Sequence, residues 1–513
     1  MSEETTGGGG GALGSLARGS SLNLLGFILS GFFGLVLSFV VARKLHAVGA
    51  GVFFSAVSIF TILTNVAELG ADTGVVRFVS RYRELGQQRD LRRMLYAALT
   101  PVALASTVFA ALMFFGAHDL AQFFSRRHPD DVEHFIRLIA PFLPFATIET
   151  VAIASTRGFG SMVSFVSVES ITRPGLKPVF IVALSVGGLG FGEVALGWGA
   201  PEAITGVAAL AVMYRFLRRN EASPTSDQAA RPFGLVAREF WLFSAPRGLA
   251  AAFQITVTWF DVLMLEKLTG SLSQTGIYGS TSRLVTVGTF ALQAVRLAIA
   301  PQISALLARD NRSEATRLYQ TATWWLMAVS WPLFLSLAVF APFVLRLFGP
   351  EFVAGQHALL ILSLAMLVNL GTGNVTVVLL MGGKSSWNVV NTAVALTLNV
   401  GLNLFLIPRY GMNGAAIAWA VSIITDNILA LLEVHYLMGM APFGSGYGVV
   451  AALALTCFGG LGLIVRGTLG MSLGSFALYV VLAAGVYAAL LYRFRRALRL
   501  DVFLSALRSR SSS

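Results

Sequence analysis

Charge is what this sequence has least of. Only 12% of its 513 residues are Asp, Glu, Lys or Arg, against roughly 25% in ordinary soluble domains. Cysteine is nearly absent as well. The one copy, Cys457, sits in an apolar run, which excludes a disulfide framework or a cysteine metal cluster within the chain. The six histidines, including His46, His118, His128 and His134, fall mostly in loops and lack metal-ligand spacing, and no Gly-rich phosphate loop of the Walker type occurs. No catalytic constellation emerges, so the chain reads as a non-enzyme with no cofactor and no metal. The N-terminal MSEETTGGGGGALGSLARGSS lacks a basic region followed by a short apolar core and a small-residue cleavage site, and no cleaved signal peptide is expected.

Apolar length is what the chain does have. It is 56% hydrophobic, and runs longer than about 18 residues recur from Leu22 to Tyr492, too many to be core helices of a soluble fold. The reading is an all-α polytopic membrane protein with about 14 transmembrane helices. They start near residues 20, 47, 95, 133, 162, 190, 240, 276, 319, 355, 386, 413, 447 and 473.

An even number of crossings puts both termini on one side. The basic stretches RFVSRYRELGQQRDLRR (77–93), RFLRRNEASPTSDQAARPFGLVARE (215–239), ARDNRSEATR (308–317) and YRFRRALRL (492–500) fall on that side, with Arg43, Lys44, Arg126 and Arg127 as exceptions. Cationic loops face the cytoplasm, so both termini are expected there, in a multi-pass protein of the cell (inner or plasma) membrane. The net charge of +12 is therefore a topology signal and implies no nucleic-acid partner. The 77–93 segment reads as an amphipathic stretch lying along the inner surface, its arginines near anionic headgroups. Trp198, Trp241 and Trp387 lie near predicted span ends, where interfacial tryptophans belong.

The halves resemble each other. A shift of roughly 224 positions lays RFVSRYRELGQQRDLRR over PQISALLARDNRSEATR, with Ser80 over Ser304, Asp90 over Glu314 and Arg93 over Arg317. Six spans preserve orientation, so a parallel repeat fits. The expected organisation is a disordered cytoplasmic N-terminus (1–19), a six-helix bundle (20–218), a cytoplasmic linker (219–238), a second six-helix bundle (239–437), two further transmembrane helices (438–496) and a cytoplasmic tail (497–513).

Charges within spans are rare and costly, about 2.5–3.5 kcal/mol each at a helix centre, and mark candidate sites. In ESITRPGLKP (169–178), Glu169, Arg173 and Lys177 follow i, i+4, i+8 spacing and form one stripe, with Glu169 placed to pair with Arg173. Pro174 and Pro178 kink that helix, which is tolerated where backbone faces protein or water. Arg247 and Asp261 lie in the seventh span, Arg283 and Arg296 in the eighth. Their positions put Asp261 level with Arg283 and Arg247 level with Arg296. The outer pair can neutralise itself. The inner pair needs an anion in transit or another carboxylate, for which Glu149 is the candidate. For any single charge, a buried structural network or snorkelling to the interface is an equal alternative; for the set, a wet cavity for an anion is favoured, because guanidinium grips phosphate with paired hydrogen bonds. Asp426 and Glu433, seven apart in the twelfth span, share a face open to a coupling ion or proton, although a local pair satisfied by neighbouring helices is the favoured reading.

The stretches ARKLHAVGAGVFFSAVSIFTILTNVAELGADTGVVRFVSRY, TWFDVLMLEKLTGSLSQTGIYGSTSRLV and LNVGLNLFLIPRYGMNGAAIAWAVSII resemble prokaryotic polysaccharide flippases of the multidrug/oligosaccharidyl-lipid/polysaccharide superfamily, across nearly the whole chain. The resemblance implies two pseudo-symmetric six-helix bundles around a central cavity, two added C-terminal helices, and alternating access that carries a polyprenyl-diphosphate-linked oligosaccharide outward. It also implies that the diphosphate is held by cavity cations, the role given to Arg173, Lys177, Arg247, Arg283 and Arg296. Glu149, Glu169, Asp261 and Asp426 are, from their places in the spans, the candidate cavity acids or coupling groups for H+ or Na+. The partners are then the lipid-linked oligosaccharide and membrane lipids, with the protein a monomer. The first span, 22–42, carries no arginine, Arg18 preceding it and Arg43 following it; this departs from the lipid II flippase pattern and speaks against a peptidoglycan precursor. A multidrug or organic-cation antiporter of the same superfamily is the alternative; a cation exporter should present carboxylates to its cavity, and here cations are expected to outnumber them. A membrane-embedded glycan polymerase or ligase would need a larger extramembrane loop than the roughly 20 residues available.

Overall fold

The computed structural model describes residues 9–125, 127–184, 190–221 and 231–494, and no strand occurs among them. Contacts divide the chain into Met1–Gly279 and Ser280–Ser513.

The first unit holds α1 (Gly9–Glu68), α2 (Ala71–Glu84), α3 (Gln88–Phe115), α4 (Ala117–Phe124), α5 (Pro129–Ile139), α6 (Leu143–Gly158), α7 (Met162–Phe165), α8 (Arg173–Leu184), α9 (Phe191–Glu221), α10 (Phe233–Thr269) and the start of α11 (Leu272–Ala308). The second holds the rest of α11, then α12 (Arg312–Val339), α13 (Ala341–Phe348), α14 (Gln356–Gly371), α15 (Val375–Met381), α16 (Ser385–Tyr410), α17 (Met412–Met438), α18 (Ser445–Ala454), α19 (Leu461–Leu469) and α20 (Leu473–Arg493).

Ten of the described helices are long and apolar enough to cross a bilayer, or eleven if the two parts of α10, bent by 46°, form one span. The sequence led to an expectation of about fourteen. Two of the expected spans share α1, which is broken at His46 (φ 58°). The expected span at 162 is interrupted and charged. Large side chains such as Phe115, Val329, Leu473 and Val481 stand exposed on these helices, as suits surfaces covered by acyl chains.

The expected repeat has a structural counterpart. α3 and α12 are both 28 residues, α4 and α13 both 8, and each bound is offset by the same 224 positions. Both following segments open on a proline at the first helical positions, Pro129 and Pro350, where the missing N–H costs nothing.

One end of the first unit holds a packed cluster of Val75, Phe78 and Tyr82 from α2, Met94 from α3, Met213 from α9 and Phe240 from α10. Of the expected linker 219–238, residues 222–230 lie outside the described residues. Both flanks are clamped to α3. Arg92 binds Glu221 through two hydrogen bonds of 2.9 and 2.7 Å, and Arg231 donates to Asp90 from its backbone (2.8 Å) and from Nε (2.6 Å). The 77–93 segment is thus tied into the protein through its charges, in addition to being amphipathic. α10, assigned from sequence to the second bundle, packs here on α1, α2 and α3. The expected disordered N-terminus is described only from Gly9, where α1 begins, and the expected C-terminal tail 497–513 lies outside the described residues.

In the second unit the buried asparagines are interhelical glue. Asn427 Nδ2 donates to Asn369 Oδ1 (3.0 Å), Thr372 Oγ1 donates to Asn427 Oδ1 (2.7 Å), and Asn391 Nδ2 donates to Glu433 Oε2 (2.7 Å). Interhelical hydrogen bonds in membrane proteins contribute about 0.6 kcal/mol each on average. Asn427→Leu is expected to lower unfolding free energy by about 1–2 kcal/mol, since it also orphans the Asn369 carbonyl. Thermal unfolding of the detergent-purified protein would show this as a lower midpoint.

Candidate functional site: a charged cavity in the first unit

Residues 162–184 do not form one continuous α-helix. Ser161 caps the four-residue α7, its Oγ accepting from Ser164 N (3.4 Å), and the chain then widens into a π-helical turn over Val166–Thr172 before α8. Pro174 has no N–H to give to the preceding turn, which favours this wider register. Such turns are frequent at functional sites. Here the turn carries Glu169, and Arg173 follows directly after it.

Those side chains meet α1, α6 and α9 around a polar cavity of about 320 Å³, lined by Thr61, Thr64, Asn65, Glu68, Thr150, Glu169, Arg173, Lys177, Trp198 and Glu202 among others. Arg173 is the hub. Its Nη2 binds Glu169 Oε1, and its Nη1 lies 3.6 Å from Glu149 Oε2, which also accepts from Thr205 Oγ1 at 2.8 Å. Lys177 Nζ lies 2.6 Å from Glu202 Oε1 and 4.1 Å from the centre of the Trp198 ring. Glu149 is wholly buried and Glu202 is 3% exposed.

Two features set the chemistry. Four carboxylates, Glu68, Glu149, Glu169 and Glu202, surround two cations. Among the described residues, Glu149 Oε1, Glu169 Oε2 and Glu202 Oε2 are buried without a hydrogen-bond partner. Unsatisfied buried carboxylate oxygens are costly, so this arrangement is suited to taking up protons, water or a small cation.

The structure brings together Glu149, Glu169, Arg173 and Lys177 of the residues singled out from sequence. Arg247 is exposed on α10, its guanidinium 3.8 Å from the centre of the Phe243 ring. Asp261 is buried on α10 and accepts from Tyr278 OH at 3.4 Å. Arg283 and Arg296 belong to α11 in the second unit, the first half-buried and the second exposed, and Asp426 is half-buried on α17. None of these five lines the cavity of the first unit. The expectation that cations outnumber carboxylates in the cavity does not hold at this site, because Glu68 and Glu202 join it. Their signal was present in sequence as carboxylates within apolar spans. Trp198, expected at the interface, is instead buried against Lys177.

An all-helical, apolar-surfaced chain with a charged internal cavity defines a multi-pass membrane protein of the transporter class. Residues 16–307 match the family described as polysaccharide biosynthesis protein, and residues 246–405 match the MatE family. The chain belongs to the polysaccharide biosynthesis protein family, within the multidrug/oligosaccharidyl-lipid/polysaccharide superfamily.

Among its relatives are the lipid II flippase MurJ of Bacillus subtilis (strain 168), 22% identical over 92% of this chain and 94% of that one, and the probable low-salt glycan biosynthesis flippase Agl15 of Haloferax volcanii, 24% identical over 44% and 48%. The fold is similar to that of a lipid II flippase MurJ in an inward closed conformation (TM-score 0.69, 12% identity, 92% of this chain and 98% of that chain). It is also similar to an inward-facing multidrug resistance MATE transporter (TM-score 0.59, 14% identity, 82% and 95%).

Proposed function

We propose that the protein is a flippase that moves a polyprenyl-diphosphate-linked oligosaccharide from the inner to the outer leaflet of the cell membrane by alternating access, as a monomer with both termini cytoplasmic. The observation that carries this reading is the six-group ionic cluster beside an internal cavity, in a chain of the polysaccharide biosynthesis family. Arg173 and Lys177 are engaged by Glu149, Glu169 and Glu202 as they stand. Uptake of H+ or Na+ by these carboxylates relieves the excess negative charge and loosens the hold on the two cations, so that one bundle couples ion binding to handling of an anionic headgroup. Arg247 adds a further cation of the first unit for the diphosphate, and Arg283 and Arg296 are the candidate contacts within the second unit. The plain chemistry of transfer between leaflets calls on no bond-making residue.

The second reading, export of organic cations, is favoured by one specific observation: carboxylates outnumber cations around the cavity. Proteoliposomes separate the two. Loaded with a polyprenyl-diphosphate glycan or with a cationic dye, they are expected to show protein-dependent movement of the glycan lipid and none of the dye. Dye movement alone would replace the flippase reading with the antiporter.

A further inference from the structure

At the junction of α2 and α10, one aromatic ring carries two guanidinium groups. The Arg77 guanidinium carbon lies 4.0 Å from the centre of the Phe243 ring, and that of Arg247 lies 3.8 Å from the same point. The ring is held in place: it packs edge-on to Phe78, with centroids 5.8 Å apart and planes at 79°, at the margin of the hydrophobic cluster of the first unit. Arg247 is further fixed by a 3.3 Å hydrogen bond from Nη1 to the Phe243 carbonyl.

Both guanidiniums are exposed, and among the described residues neither is in an ion pair. The contrast is local. The neighbouring Arg81, Arg92 and Arg231 each hold a carboxylate, from Glu239, Glu221 and Asp90 respectively. Two cations within reach of one ring repel each other, and among the described residues no carboxylate is paired with either. A guanidinium attracted to a ring keeps N–H groups to donate elsewhere, and Arg247 has committed only one, Nη1, to the Phe243 carbonyl. Such groups bind phosphate oxygens in pairs, and two guanidiniums match two linked phosphates.

We propose that Arg77, Phe243 and Arg247 form a diphosphate grip for the headgroup of a polyprenyl-linked substrate, Phe243 being the platform that holds the two guanidiniums together. This rests on the flippase reading above and adds to it Arg77, which sequence placed only among surface anchors. The grip is separate from the cavity cluster, whose cations already have carboxylate partners.

The test uses the full chain in nanodiscs of zwitterionic lipid, with binding of polyprenyl diphosphate followed by thermal shift and by thermophoresis. The comparison arms are polyprenyl monophosphate, inorganic diphosphate and phosphatidylglycerol. The wild type is expected to bind the diphosphate lipid, and more tightly than the monophosphate. Arg77→Ala with Arg247→Ala should weaken it at least about tenfold. Arg77→Lys with Arg247→Lys should fall between, and Phe243→Leu should weaken binding with both charges kept. A double alanine variant that elutes as a folded monomer and binds like wild type overturns the grip while leaving the flippase reading intact. Equal arginine dependence for phosphatidylglycerol makes the pair a membrane anchor and also overturns it. A wild type that binds no polyprenyl diphosphate overturns the flippase reading, and the grip with it.

Discussion

Arg173→Ala is expected to abolish transport and to destabilise the first unit by about 3–5 kcal/mol, the range for removing one partner of a buried ion pair. The reason is geometric. One guanidinium serves both Glu169 and the fully buried Glu149, and alanine leaves two carboxylates in a low-dielectric interior with no cation between them. Arg173→Lys keeps the charge but replaces a planar fork by a point charge that cannot reach both acids, so partial stability with little transport is expected. Adding Glu149→Gln and Glu169→Gln to Arg173→Ala removes the orphaned charge. That triple variant should regain most of the lost stability and none of the transport. Thermal unfolding beside a flipping assay reads both quantities. Full transport by the folded Arg173→Ala protein would remove the cavity from the mechanism.

The second large effect concerns backbone packing. In the first unit α1 and the start of α11 meet at two glycines with no room for a side chain. A Cβ on Gly276 would lie 2.0 Å from the Ala47 carbonyl oxygen, and one on Gly51 would lie 2.0 Å from that of Leu272. In membranes such small-residue contacts let helices approach closely enough for dispersion forces to hold them. Gly276→Val must push the helices apart, and overpacking of this kind costs about 1–3 kcal/mol or more. The expected result is a sharply lower unfolding midpoint and loss of the monodisperse peak in detergent. Gly401→Ala, at a position with open space around it, is the control and should behave as wild type. A Gly276→Val protein as stable as its parent would contradict the close approach.

Part of the cavity is legible in the sequence and part appears only when the helices pack. Helical periodicity alone placed Glu169 and Arg173 on one face, because i, i+4 neighbours meet whatever lies around them. Glu149 was expected to answer Arg247 and Arg296, but the structure sets it beside Arg173, because α6 packs on α9 and α1 around the cavity and Arg247 lies exposed at Phe243. Glu68 and Glu202 were harder. Glu68 ends α1 and Glu202 shares α9 with Glu193 and Glu221, and only the packing of α1 and α9 against α8 brings the two to the same cavity. Trp198 misled for the same reason. Near a span end a tryptophan suggests the interface, yet here its ring receives Lys177. The contact of α10 with α1 and α2 depends on close approach at Gly70, Gly74 and Gly248, where a Cβ on Gly248 would lie 2.3 Å from the Leu69 carbonyl carbon. Arg77 and Arg247, 170 positions apart, share a ring only because α2 and α10 pack together.

On the function proposed above, the buried ionic cluster of the first unit drives translocation of a diphosphate-linked glycan. The most direct measurement is the rate at which a polyprenyl-diphosphate glycan in reconstituted vesicles becomes accessible to an added glycan-cleaving enzyme on the far side. Wild-type protein should raise that rate well above protein-free vesicles, and Arg173→Ala with Lys177→Ala, inserted at equal density, should return it to background. Equal rates for the two proteins, or a wild type no faster than empty vesicles, would contradict it.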